Sequence, residues 1–208
     1  MYSQFKIFNS TDLWQKETSL PSIPTFSQCL DGVIGNEGVQ LGTITELLGL
    51  PGTGKTQICY VLQFKYPKNL EDLMLKLSML IQILILRSLD LRVKLIVIDS
   101  ITFPFKEGIT LKRRTGLLFR LAAELNRLAI EQHIAVIMTN EMSTRIGLST
   151  GSLVGAFGDA WAHRCNKRVL LSAPKTLQKE RLAALIKSNN SPESVGKFQI
   201  TNEGIRDI

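Results

Sequence analysis

Gly49-Leu50-Pro51-Gly52-Thr53-Gly54-Lys55-Thr56 is the stretch whose reading decides the fold. It fits G-x-x-x-x-G-K-[ST], the phosphate-binding P-loop, and each position has a physical reason. Gly49, Gly52 and Gly54 let the backbone take positive φ and come close to an anion. The loop N–H groups then form a nest around the phosphates. Lys55 brings a mobile positive charge to the β- and γ-phosphates, and Thr56 brings a hydroxyl to Mg²⁺. The helix that follows adds its positive N-terminal end. Residues 43–48 predict a strand entering the loop and residues 57–64 a helix leaving it, the order the motif requires. A glycine-rich turn in an unrelated α/β domain is the competing explanation, and the flanking elements count against it.

Composition sets the outer bounds. A chain of 208 residues predicts one domain, or one domain with a short arm, and 44% hydrophobic residues suffice for a proper core. No run of 18 apolar residues is free of polar breaks, and the first residues lack the basic-then-apolar layout of a signal peptide. Cys29, Cys59 and Cys165 form no C-x-x-C pair, which suits core packing in a reducing compartment rather than disulfides or zinc. The net charge of +7 favours a polyanionic partner without identifying one.

Working outward, residues 11–17 predict a short helix with Asp12 as cap, and residues 27–34 a second, ended by Gly35 and Asn36. Residues 38–42 turn the chain into the strand before the loop. Beyond the loop helix, Asn69 caps another, with Leu70, Leu73, Met74, Leu77, Ile81, Leu84 and Ile85 on one apolar face. Leu95-Ile96-Val97-Ile98-Asp99 is a continuous apolar run ending in a carboxylate, as buried parallel strands read. An Asp there sits at the ligand edge of an open sheet, where it holds Mg²⁺ through water as a Walker B residue.

Thr110 begins a long helix to about Gln132, buried through Leu117, Leu118, Leu121, Ala122, Leu125, Leu128 and Ala129. Its start is basic, with Lys112, Arg113 and Arg114 consecutive. Consecutive helical residues diverge, so a solvated charged surface explains this run as well as a DNA track does. Residues 134–140 form another buried strand, whose polar end, Thr139-Asn140-Glu141, lies where a γ-phosphate would be sensed. Residues 143–159 carry little periodic signal and read as a mobile loop. Residues 168–172, 181–187 and 197–201 predict strands of an antiparallel meander.

Together these pieces resemble the ATPase core of the RecA-like eukaryotic recombinases. The likeness rests on Thr45-Glu46-Leu47, the loop through Gln57, Leu95 to Ser100, Leu128-Ala129, Ala135 to Asn140, Trp161-Ala162-His163 with Arg168, and Phe198-Gln199-Ile200 with Gly204-Ile205. Within that family, residues 101–105 and 138–144 are most similar to the C-type paralogue group, accessory factors that work in heteromeric paralogue complexes. The resemblance implies an α/β RecA-like P-loop NTPase core. It has a mostly parallel central sheet flanked by helices, then a C-terminal antiparallel meander. Residues 1–25 would be an arm and residues 26–208 the core. It further implies a nuclear protein of homologous recombination and double-strand break repair, meiotic recombination included.

Its cofactors would be ATP and Mg²⁺, and its partners single-stranded or junction DNA and other recombinase paralogues. The implied nucleotide-binding residues are Gly49, Leu50, Pro51, Gly52, Thr53, Gly54, Lys55, Thr56 and Gln57, with Thr56 and Asp99 on the metal. Lys55, Thr56, Asp99 and Glu141 would be the catalytic group. Lys106, Lys112, Arg113 and Arg114 would belong to a first DNA-binding loop, and Arg145 to a second.

The chain departs from that pattern in four ways. Residues 65–94 are too few for the strand that ends in the family's catalytic glutamate, whose loss would slow hydrolysis on the order of 100-fold or more. That gap would leave the Walker B strand with an open edge. Glu141 stands where a glutamine sensor is usual. The family's N-terminal helical DNA-binding domain has no match, and residues 1–25 hold no Phe-x-x-Ala tether. Three readings stay open: a DNA-dependent ATPase, a non-hydrolysing interaction subunit or shortened product, and an unrelated P-loop motor.

Overall fold

The computed structural model describes residues 9–35, 37–65, 93–105, 110–144, 153–173 and 179–208. Helix α1 (Ser10–Thr18) has no buried residue. Its cap is Asn9, whose side chain accepts the Asp12 N–H at 2.7 Å, so the expected cap, Asp12, instead lies in the first turn. There its charge still favours the positive helix end. Strand β1 (Ser22–Ile23) pairs antiparallel with β2 (Val39–Gln40), with α2 (Gln28–Gly35) between them. Two-residue strands carry no period, and residues 38–42 read only as a turn. Ser27 caps α2 by accepting the Leu30 N–H at 3.1 Å.

The main elements follow in alternation. They are β3 (Ile44–Gly49), α3 (Lys55–Lys65), β4 (Leu95–Ile98), a 3-10 turn (Phe103–Phe105), α4 (Leu111–Gln132) and β5 (Ala135–Asn140). Next come β6 (Met142–Thr144), β7 (Leu153–Gly155), α5 (Gly158–Ala162), β8 (Lys167–Ser172), β9 (Glu180–Lys187), β10 (Ser194–Thr201) and β11 (Gly204–Arg206). Seven strands form one sheet in the order β11-β10-β9-β8-β3-β5-β4. From β8 to β4 neighbours run parallel, and from β8 to β11 antiparallel. The meander is therefore not a separate layer. Strand β8 joins it to the parallel half by pairing with β3.

Two apolar layers hold the sheet. On one face Leu47, Ile137 and Val169 pack with Ile58, Cys59 and Leu62 of α3 and with Leu30, Val33 and Ile34 of α2. On the other, Ile44, Val136 and Met138 pack with Leu118, Leu121, Leu125 and Ala129 of α4 and with Trp161. Every residue of β3 and of β5 is buried, the polar Thr45, Glu46, Thr139 and Asn140 along with the apolar ones. Leu117, expected among the buried face of α4, is only partly buried. Thr110 is the N-cap of α4, but its side chain makes no capping bond.

The expected loop over 143–159 is partly built. Strands β6 and β7 form an antiparallel hairpin, Met142 opposite Gly155, and α5 follows. Their three-residue lengths and glycines hide the pairing from sequence. Residues 145–152 lie outside the described residues, as does the helix expected from Asn69 to Ile85. Among the described residues β4 pairs on one side only, with β5. Cys59 and Cys165 are buried free thiols and Cys29 a half-buried one. Among the described residues no helix is long and apolar enough to cross a membrane.

Candidate functional site

Strands β3, β4 and β5 run parallel, so their C-terminal ends share one edge of the sheet. The loop from Gly49 to Gly54 leaves β3 at that edge and α3 starts at Lys55. Gly49 is fixed by close approach: a Cβ there would lie 2.5 Å from Thr53 Oγ1 and 2.7 Å from Leu171 O. Gly54 has φ +101°, and a Cβ would also meet Ile200 Cδ1 at 2.6 Å. Gly52 likewise has positive φ, and Thr53 closes the loop by donating to Leu50 O at 2.9 Å. Leu50, Pro51, Thr56 and Gln57 are exposed along the rim.

The Lys55 ammonium donates to Gly49 O at 2.7 Å and to Leu50 O at 3.0 Å. Burial pushes its pKa down, and the carboxylates of Asp99 and Glu141 pull it partly back up. Both carboxylates therefore lie within electrostatic reach of the loop lysine. Asp99 directly follows β4, and its Oδ1 accepts a hydrogen bond from the Thr139 hydroxyl on β5. The Ile101 N–H donates to Thr139 O at 3.0 Å, tying the turn after β4 to the same strand. Cys59, one turn into α3, is pushed up to about 12 by burial first and by Asp99 second, so it is an inert thiol.

These residues fit a nucleotide polyphosphate with Mg²⁺. A Cβ at Gly49 would collide with Thr53 and Leu171 and one at Gly54 with Ile200, so glycine is what lets the loop close as it does, with the Lys55 ammonium held on its carbonyls. Thr56 and Asp99 offer hard oxygen donors, the type Mg²⁺ takes alongside phosphate and water.

Beneath the edge lies a buried carboxylate. Glu46, fully buried in β3, accepts from Asn140 Nδ2 at 2.7 Å, Trp161 Nε1 at 2.9 Å and Arg168 Nε at 2.5 Å. It ties the phosphate-loop strand to the end of β5, to α5 and to β8. A glutamate inside an otherwise apolar strand must find such partners, and that was the available signal. Nothing in the sequence pattern named them, nor Thr139 as the partner of Asp99.

The basic residues divide. Lys112 and Arg113 are exposed in the first turn of α4, which the topology places at the same edge as the loop. Arg114 is half-buried and stacks over Phe157 at 6.0 Å, beside α5. Positive charge at a helix N-terminus opposes the helix dipole, and no acidic residue occupies that first turn. Lys106 and Arg145 lie outside the described residues.

A Rad51 family model matches residues 69–208. Curated relatives extend the likeness to the phosphate loop. DNA repair protein RAD51 homolog 3 of Cricetulus griseus is 28% identical over 270 aligned positions, covering 97% of this chain and 73% of the relative. A protein of the same name from Dictyostelium discoideum is 36% identical over 119 positions, 56% of this chain and 30% of the relative. DNA repair and recombination protein RadA of Metallosphaera sedula is 29% identical over 247 positions, 94% of this chain and 75% of the relative. Alignments of 270 and 247 positions exceed the 208 residues available, so these relatives carry residues with no counterpart here. With a family model matched over more than half its length, and a RecA-like sheet around the loop, the chain belongs to the Rad51 family.

Proposed function

We propose that this chain is a nucleotide- and DNA-binding recombinase paralogue that acts in homologous recombination and DNA repair in the nucleus, as one subunit of a paralogue complex. The observation that carries it is the convergence of Lys55, Thr56 and Asp99 on one sheet edge, with the basic start of α4 beside them. In this reading the amides of residues 49–54 orient the phosphates and Lys55 neutralises them. Thr56 holds Mg²⁺ directly and Asp99 holds it through water, steadied by Thr139. Residues 26–208 form the ATP-binding core and residues 1–25 an arm. Lys112 and Arg113 contact DNA phosphates, which offsets the cost of placing them at a positive helix end.

Titration with a fluorescent adenine nucleotide tests the site. Lys55→Ala should weaken binding at least tenfold, and equal affinity in both proteins would sink the assignment. For DNA, replacing Lys112 and Arg113 by alanine should lower the slope of log affinity against log salt by about one per charge. A non-hydrolysing subunit is the second reading, because residues 65–94 hold no stretch that reads as the strand ending in the family's catalytic glutamate. Turnover with single-stranded DNA well above background would reject it.

A further inference from the structure

Phe103 turns its ring to solvent from a backbone that is anchored on both sides. The Ile101 N–H donates to Thr139 O at 3.0 Å, and the Phe105 N–H donates to Thr102 O at 3.1 Å. Ile101, Thr102 and Phe105 are buried, whereas Phe103 among them is 63% exposed. The same turn meets the start of α4 over one ring. Phe105 packs edge-on against Phe157 at 5.7 Å, and the Arg114 guanidinium lies over Phe157 at 6.0 Å. Phe103 is two residues from Phe105, and Leu111, Lys112 and Arg113 directly precede Arg114. The shared ring therefore gathers these four residues into one stretch of surface. Leu111 is 69% exposed, and Lys112 and Arg113 are exposed as well.

A single exposed apolar residue means little, but an aromatic and a leucine beside two cations make an amphipathic surface. The cations complement any polyanion, a duplex included, whose bases are turned inward. An exposed aromatic face adds something only for a strand whose base faces are free to stack on it. We propose that Phe103 is a base-stacking platform, on which an unpaired base of a bound single strand lies while Lys112 and Arg113 hold neighbouring phosphates. The inference rests on the DNA reading above and deepens it, adding a contact with a base to contacts with phosphates.

The test measures binding of the full chain, by fluorescence anisotropy, to an oligo-dT strand, to a strand of abasic sites of equal length and to a duplex. Phe103→Ala should weaken oligo-dT about tenfold, as the loss of one base–aromatic stack does. It should leave the abasic strand and the duplex within about twofold, and the slope of log affinity against log salt unchanged. Phe103→Tyr keeps a ring and should restore oligo-dT to within about twofold of wild type. A fluorescent purine analogue in the strand should be quenched by wild type and by Phe103→Tyr, but not by Phe103→Ala. Oligo-dT affinity and quenching unchanged in Phe103→Ala overturn the inference, as does equal weakening of the oligo-dT and abasic strands. Either result leaves the DNA reading standing if replacing Lys112 and Arg113 by alanine still lowers the salt slope. A Phe103→Ala protein that binds every strand as wild type does but loses self-association assigns the ring to a protein contact, which also overturns it. Binding of no strand by wild type overturns the DNA reading, and this inference with it.

Discussion

Glu46→Ala would remove a carboxylate that no solvent reaches and that three donors share. Its partner Arg168 keeps only 15% of its side chain exposed. The change strands that guanidinium and orphans the Trp161 and Asn140 N–H groups together. Breaking one side of a buried pair costs about 3–5 kcal/mol. For a domain of this size each kcal/mol shifts Tm by about 2–4 °C, so a fall of roughly 10 °C is expected. Glu46→Gln keeps an acceptor and loses the charge, so its cost should be about 1.5–3 kcal/mol. A double variant, Glu46→Leu with Arg168→Met, removes both charges and should be more stable than Glu46→Ala alone. Urea unfolding followed by circular dichroism measures all three. A Glu46→Ala protein within about 0.5 kcal/mol of wild type, the range of ordinary surface changes, would refute the buried hub.

Three further outcomes are expected. Gly54→Ala forces an L residue to φ +101° against Ile200, so it should lose about 1–3 kcal/mol of stability and bind nucleotide more weakly. Thr139→Val removes the donor that steadies Asp99, and the Mg²⁺ concentration needed for half-maximal nucleotide binding should rise about tenfold or more. Asp207 reaches back to cap α2, accepting from the Ser27 hydroxyl and from the Gln28 and Cys29 amides. Burial pushes its pKa up, but these bonds outweigh it and hold the carboxyl below its usual range. Its contribution is therefore present above the unfolded pKa and lost as pH falls through the folded one. Asp207→Asn should cost about 0.5–2 kcal/mol at pH 7, and less and less below about pH 4.

The parts of this molecule that were legible are those with a local physical signature. The loop from Gly49 to Thr56 announces itself because only glycine tolerates its φ angles and close approaches. Strand β5 is legible because burial on both faces leaves an apolar run, β4 because its four residues are all apolar although only Ile96 is fully buried, and α4 because its apolar residues repeat at helical spacing. What sequence does not carry is who pairs with whom. Residues 168–172 read as a strand, yet nothing local says that β8 lies parallel to β3. Glu46 finds Asn140, Trp161 and Arg168 at 94, 115 and 122 positions' distance along the chain. Asp207 caps a helix almost at the other end of the sequence. Pairs β1–β2 and β6–β7 are too short for any period to appear.

Hydrogen exchange at the amides of residues 52 to 56, with and without saturating Mg²⁺ and ADP, tests most directly whether this loop wraps phosphates. The account predicts clear slowing at these amides in wild type and none in Lys55→Ala. Exchange in wild type that nucleotide leaves unchanged would contradict it.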